Sequence, residues 1–371
     1  MENRYPIIIL LLMLLMAACC QVPVPDGGTD TPETVELCVG FALPGGETVK
    51  GLAPSASEVQ ISKMHLFVFD SHGVLDLIHT LTAAEKADRS VRVRLRTGTS
   101  SLWLVANVDF PASFLEGLSS EATLEAFTYS GLAEGLPMVC HQSLEIPAGG
   151  LDGTLSLQLS FAVSRIALNS VRNALQWPLQ HKEILLRGAV VCNAVANRTL
   201  AGAAPEREWL NREGTRSHQA GQVIGATLPA YLPDAEETEA LLLAGDAAAS
   251  GLSASYQQTI PPGETCALEN FGAFYAFPNV NTEPNSGWHD EFLETATVLL
   301  VIADIDGRRY WYPVPLTFGL AENRNYKIDL VISGFGNDVD HWFERLERIS
   351  LACAVGTGAW TTLPDMIPEF I

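Results

Sequence analysis

The chain has 371 residues, 47% hydrophobic and 18% charged; this is enough apolar material to fill substantial cores, and it excludes general disorder. A formal net charge of −21 would repel nucleic acid and anionic membrane surfaces, so no nucleic-acid partner is expected. The seven cysteines show no CxxC spacing and no two of the eight histidines lie two to four residues apart, so neither a metal nor a cofactor is expected.

Arg4 precedes an unbroken apolar run over residues 7–20. The run is short for a membrane span and ends in small residues followed by cysteine, the pattern of a removable export signal. Leu15-Met16-Ala17-Ala18-Cys19 resembles the lipobox of bacterial lipoproteins. The resemblance implies removal of residues 1–18 and a diacylglycerol on Cys19, which would hold the chain to a membrane without spanning it. The alternative is an N-terminal transmembrane anchor or a buried strand, but nothing basic follows the run to stop transfer. Residues 19–34, rich in Pro, Gly and Asp, read as a tether.

Strand patterns begin at residue 35, where Val35, Leu37, Val39 and Phe41 fall on one face. After a Gly/Pro/Ser loop containing Lys50, strands are predicted over 59–70, 74–81, 90–96 and 102–108. In the third of these, Val91, Val93 and Leu95 alternate with Arg92, Arg94 and Arg96. Residues 114–127 read as one helix carrying Leu115, Leu118, Leu124 and Phe127. The most regular alternation is over 154–161, with Leu155, Leu157, Leu159 and Phe161 on one face, and it continues through 162–168.

A long β-like run covers 183–195. Residues 200–265 are weaker and read as an insertion of loops and short elements, with helical potential at 236–243. Strand character returns at 273–277. The runs 297–305 and 308–316 flank Asp306-Gly307, a short-range hairpin signal. Residues 326–332 alternate, and a last strand is predicted over 349–355. Many short strands with turns between them and few helices predict a mainly β chain built of antiparallel sandwiches.

The chain carries no phosphate-binding loop, dinucleotide fingerprint, HExxH or GxSxG, so an enzyme is not expected. His65 reads as a packed or surface residue. Asp304 and Asp306 look like half of a calcium loop, but the flanking strands favour a plain hairpin turn. Arg92, Arg94 and Arg96 read as a solvated strand face, with a docking surface for an acidic partner as the alternative. The scattered cysteines read as buried free thiols.

Taken in order, ISKMHLFVFDSHGVL (61–75), SLWLVANV (101–108), GLPM (135–138), LSFAVSRIAL (159–168), FYAFPN (274–279), RRYWYPVPL (308–316) and ENRNYKIDLVISGFG (322–336), together with the lipobox, resemble the fimbrillins, lipoprotein-derived fimbrial subunits of Gram-negative anaerobes. The resemblance implies two transthyretin-like antiparallel β-sandwich domains, at 35–160 and 161–371. It implies display at the outer membrane and cell surface, with other fimbrial subunits as partners, the outer membrane held through the acyl anchor, and a host or bacterial surface receptor. It also implies that a protease cuts after a basic residue and releases the first strand, here Val35, Leu37, Val39 and Phe41. A neighbour's C-terminal strand then fills the groove by β-augmentation. The donor candidates are Ile349, Leu351, Cys353 and Val355; the equal alternative pairs them within their own domain.

The chain departs from the stalk-subunit pattern in having no arginine between Cys19 and Arg89. The first basic residue of that stretch is Lys50, which makes it the processing candidate. Without cleavage the chain would keep its acyl group and its filled groove and act as a membrane anchor of the filament. A monomeric glycan- or ligand-binding surface lipoprotein is the remaining alternative.

Overall fold

The computed structural model describes residues 34–44, 55–130, 132, 135–151, 153–202, 208–213, 223–228, 252–268, 272–279, 296–316, 319–338, 346, 351–359 and 369–370. The described residues are mainly β. The first half carries β1 (Thr34–Ala42), β2 (Met64–Asp70), β3 (Leu75–Thr80), α1 (Ala83–Asp88), β4 (Ser90–Arg96), β5 (Gly98–Ala106), α2 (Ala112–Gly117), α3 (Glu121–Glu125), β6 (Thr128–Ser130), β7 (Met138–Ile146), β8 (Thr154–Gln158) and β9 (Ser160–Phe161).

Two sheets face each other here: a five-stranded sheet in the order β3-β2-β5-β7-β9 and a three-stranded sheet in the order β4-β1-β8. Leu37, Val39, Phe41, Val91, Val93, Leu95 and Leu157 from the smaller sheet share one core with Met64, Leu66, Val68, Leu102, Leu104 and Met138 from the larger. The pattern follows from period-two alternation: β4 buries its three aliphatic positions and exposes its three arginines. The far face of β2 is buried as well. Phe67 and His65 pack edge-on against Phe110, which stacks on Phe114 in α2.

The second half carries β10 (Ser164–Asn173), β11 (Ile184–Cys192), β12 (Ala194–Val195), β13 (Asn197–Thr199), β14 (Trp209–Glu213), β15 (Val223–Leu228), β16 (Ser253–Ile260), β17 (Thr265–Ala267), β18 (Phe274–Ala276), β19 (Val298–Ile305), β20 (Arg308–Pro315), β21 (Arg324–Ile332), β22 (Leu351–Ala359) and β23 (Glu369–Phe370). One sheet runs β17-β10-β21-β22-β23 with β18 also on β10; a second runs β16-β11-β19-β20. Their inward faces meet in a second core that includes Ile166, Leu186, Val301, Tyr312, Ile328, Leu330 and Val355. β10 and β21 are parallel, while β11, β16, β19 and β20 pair antiparallel.

The halves interlock. β13 leaves the second half to pair with β6, and Val195, Leu200, Trp209 and Phe277 belong to the first core. Arg198 is buried in this crossing; its Nη1 donates to Ala162 O at 2.9 Å and to Glu322 Oε2 at 2.5 Å.

Several elements differ from expectation. The helix expected over 114–127 is two short helices, because Ser119 and Ser120 pair with the β-turn before β3: Leu75 N donates to Ser119 O, and Val74 bridges to Ser120. The strand expected from residue 59 starts only at Met64, with a turn over 56–59 in front of it. β7 falls where only the 135–138 loop was expected, and β16 lies within the stretch read as an insertion. The last strand begins at Leu351 and runs to Ala359, displaced toward the C-terminus from the expected 349–355. Residues 236–243 lie outside the described residues.

Candidate functional site

β1 occupies the middle of its sheet. It runs antiparallel to β4, with Val35 opposite Leu95, Leu37 opposite Val93 and Val39 opposite Val91. It runs parallel to β8, with Val39 beside Leu155 and Phe41 beside Leu157. Within that sheet, β4 and β8 are joined only through β1. Of the four residues assigned to the strand, Leu37, Val39 and Phe41 are buried and Val35 half-buried. At about 1.5–3 kcal/mol for each fully buried aliphatic or aromatic side chain, the three hold the strand firmly. Its C-terminal end is tied down as well: Phe41 N donates to Arg89 O at 3.0 Å, Leu159 N to Ala42 O at 3.0 Å, and Gln158 Nε2 to Leu43 O at 3.1 Å. Taking β1 away would leave two unpaired strand edges on either side of an apolar slot, an acceptor for another strand.

Gly40 lies on the outer face of β1, where a Cβ would come within 2.9 Å of Thr154 Cγ2. The contact is to the side-chain methyl of the exposed Thr154, which would have to shift to admit a Cβ at position 40. The period-two pattern did not reveal this contact; the glycine within an otherwise regular strand was its signal.

The donor candidates lie in the other half. Leu351, Cys353 and Val355 stand opposite Ile332, Leu330 and Ile328 of β21, and Cys353 and Val355 are buried in the second core. On its other side, among the described residues, β22 pairs with the two residues of β23. The structure thus places the released-strand candidates and the donor candidates in separate sheets and separate cores. Cys19, Lys50 and Ile349 lie outside the described residues.

A polar cluster that the sequence did not point to lies just beyond the loop containing Lys50. Glu58 is buried, and its carboxylate accepts from Tyr275 Oη at 2.5 Å, Arg165 Nε at 3.0 Å and Ser55 N at 2.5 Å. Burial on its own would raise the Glu58 pKa, but the hydrogen bonds from Tyr275 and Ser55 and the Arg165 charge outweigh it and lower the net value. Arg165 Nη1 also reaches Asn325 Oδ1 at 3.1 Å. The cluster fastens the segment leading into β2 onto β10 and β18.

The remaining candidates are structural. His65 is buried, bonded through Nδ1 to Thr80 Oγ1 at 3.0 Å. Asp304 accepts from Arg309 and is ion-paired with Arg187, and Asp306 sits in the turn with Lys182 Nζ at 2.7 Å, so both carboxylates are occupied by cations of the protein. Among the described residues no group of three or more His, Cys, Asp or Glu is placed to hold a metal ion. Arg92, Arg94 and Arg96 face solvent, with Arg96 paired to Asp76 at 2.9 Å. The five described cysteines are free thiols, two of them buried.

Ser101, His141 and Glu121 come together over the stacked Trp103–His141 pair, 4.1 Å between ring centroids. Ser101 Oγ and Glu121 Oε1 both meet His141 Nε2, at 3.0 and 3.4 Å. A nucleophile–base–acid relay needs the hydroxyl and the acid on opposite ring nitrogens, so this arrangement is not one.

Comparison with solved structures finds this fold in fimbrial and adhesion proteins. A fimbrilin (fimA) from Porphyromonas gingivalis W83 matches with a TM-score of 0.57 at 13% identity, covering 89% of this chain and 98% of that one. A protein provisionally named for cell adhesion from Parabacteroides distasonis matches with a TM-score of 0.59 at 14% identity, covering 89% and 100%. Another, from Bacteroides eggerthii, matches with a TM-score of 0.57 at 16% identity, covering 90% and 98%. No protein-family profile matches the chain, and no curated protein matches its sequence. The chain therefore has the fimbrillin-like fold.

Proposed function

We propose that this chain is a structural subunit of a surface fimbrium. In this reading it is exported as a lipoprotein acylated on Cys19, built as two transthyretin-like β-sandwich domains, and joined to other subunits by strand exchange in support of adhesion. The observation that carries the reading is the placement of β1: it is the central strand of a three-stranded sheet, buried along one face, and the sole link between β4 and β8. Cleavage at Lys50 would free this strand and open an apolar slot flanked by two unsatisfied edges. The likeness to fimbrilin supports the same conclusion. Because slot and donor are different elements in separate sheets of the chain, a contact between them is head-to-tail and propagates as an open filament.

A second reading is the uncleaved membrane anchor. It is favoured by the lack of arginine between Cys19 and Arg89 and by the secure seating of β1 in the intact chain.

Intact mass and N-terminal peptide mapping of the protein from its own cell surface separate the readings. A terminus at Gly51 with residues 19–50 missing is expected for a polymerising subunit. A diacylated Cys19 terminus as the sole form supports the anchor and rejects the stalk. An intact Met1 rejects export as a lipoprotein.

A further inference from the structure

We propose that the outer face of the β4-β1-β8 sheet binds an acidic polysaccharide, with Arg92, Arg94 and Arg96 pairing with carboxylates of its sugars. This gives the adhesive part of the reading above a ligand class, and the site is complete in the uncleaved chain.

The chain is short of positive charge and concentrates it here. Residues 35–160 hold seven lysines and arginines, and five of them lie between Lys86 and Arg96. β4 turns three of these arginines to one side, with Val91, Val93 and Leu95 in the core behind them. Same-face residues of a strand stand about 6.8 Å apart, so the three guanidinium groups repel one another. Little on the face offsets this. Arg92 lies 3.8 Å from Glu36, with both side chains well exposed, and such a pair contributes little. Arg96 pairs with Asp76 at 2.9 Å, and Arg94 makes no ion pair among the described residues. Charge on an edge strand also guards against pairing with another chain, and lysine is the usual guard. Arginine adds a planar fork that takes a carboxylate by two parallel hydrogen bonds.

The rest of the face selects the kind of anion. In the row across the sheet Arg92 stands beside Cys38, and Cys38 beside Thr154; in the next row Gly40 lies between Ser90 and Ser156. The middle strand is therefore low, and beyond it Thr154 and Ser156 expose hydroxyls. With β4 and β8 two strand spacings apart, about 9.6 Å, the face is a shallow trough between guanidinium groups and hydroxyls. It has no aromatic ring on which a nucleobase could stack. It also has no large exposed hydrophobic residue: Val74, Trp177 and Phe335 all lie elsewhere. A protein partner would need such an anchor. A polyhydroxylated chain bearing carboxylates suits both walls. The acidity of the whole chain does not forbid it, because charges more than about 8 Å away are largely screened at physiological ionic strength.

The test is binding of a fluorescently labelled hexagalacturonate to the full, uncleaved chain, read by fluorescence anisotropy. Binding should weaken about fivefold or more between about 0.05 and 0.3 M salt. Arg94→Ser should weaken it about tenfold, and the chain with Arg92→Ser, Arg94→Ser and Arg96→Ser together should not bind. Arg94→Lys keeps the charge and loses the fork, and should cost about threefold. Thr154→Val removes a hydroxyl at nearly constant shape and should also cost about threefold. Arg172→Ser, at an exposed arginine of β10, should stay within about twofold of wild type. All these side chains are exposed, so urea midpoints should match the wild type. The proposal is overturned if the hexamer does not bind at low salt, or if its methyl ester or a single-stranded oligonucleotide of equal charge binds as well. It is overturned equally if Arg172→Ser costs as much as Arg94→Ser, or if Arg94→Lys and Thr154→Val both leave binding unchanged. None of these results touches processing at Lys50, which the N-terminal mapping reads, so strand exchange and this site fail separately.

Discussion

The phenol of Tyr275 donates to the carboxylate of Glu58 at 2.5 Å, joining residues 217 positions apart. Arg165 completes the pair from β10, so the segment just before β2 is fastened to the second half by a buried charge. Removing one member of such a pair strands the other: Glu58→Gln should cost about 3 kcal/mol in urea unfolding, leaving Arg165 buried and uncompensated. Tyr275→Phe should cost less, about 1.5–3 kcal/mol, the range for a hydrogen bond to a charged group. The Glu58 pKa is lowered in the folded state, so its contribution is present above the ordinary carboxylate range and is lost as pH falls through the folded value. The difference between wild type and Glu58→Gln should therefore shrink in acid.

His65 responds to pH with the same sign, in a higher range. Burial, reinforced by the nearby Lys63 charge, lowers its pKa, with Asp109 opposing. The unfolded chain takes up the proton first, near the ordinary value of about 6.5, so stability from this site is lost as pH falls below that point. His65→Phe should flatten the dependence of stability on pH between about 5 and 7, read as urea midpoints across that range.

Asn107 organises the loop that carries Leu136. It adopts a left-handed conformation, φ 60°, accepts from Ser62 N at 2.9 Å and donates to Leu136 O at 2.9 Å and Gln60 O at 2.8 Å. Asn107→Ala should cost about 3 kcal/mol, from stranded partners with an added left-handed penalty. Asn107→Gly should be milder by about 1 kcal/mol, since glycine adopts that conformation freely. Thermal unfolding of the two variants measures the difference.

The two faces of the β4-β1-β8 sheet should respond unequally. Val39→Asp puts a carboxylate into the first core and should prevent stable folding of the intact chain. Arg94→Ser, on the exposed face of the neighbouring strand, should change stability by less than about 0.5 kcal/mol. Expression yield and near-UV circular dichroism check both.

The strands with strict alternation were legible in the sequence. β4 matches its expected bounds, and the hairpin of β19 and β20 turns at Asp306-Gly307 as its dipeptide indicates. β16 was hidden because Gln257 adopts φ 51° beside a register shift, which breaks the period within SASYQQTI and leaves only Tyr256 and Ile260 buried. β7 carries a period-two pattern interrupted at Gln142: Met138, Cys140, Leu144 and Ile146 fall on one face, and His141, Ser143 and Glu145 on the exposed one. α1 did carry a local signal: Thr82 and Glu85 form a reciprocal capping box. The split of the expected 114–127 helix was not legible, because the pairing of Ser119 and Ser120 with residues near 74 is tertiary. For the same reason β1 was recognisable as an apolar strand while its central place, with a partner as distant as β8, was not.

That placement bears on the order of folding. The five-stranded sheet closes mostly through hairpins and near neighbours, which form early because their loops are short. β1 has to wait for Thr154–Gln158, so the first described stretch of the chain can take its full set of neighbours only after the rest of its half is assembled. A strand seated last closes a gap that the rest of its half has already shaped, and its withdrawal reopens that gap.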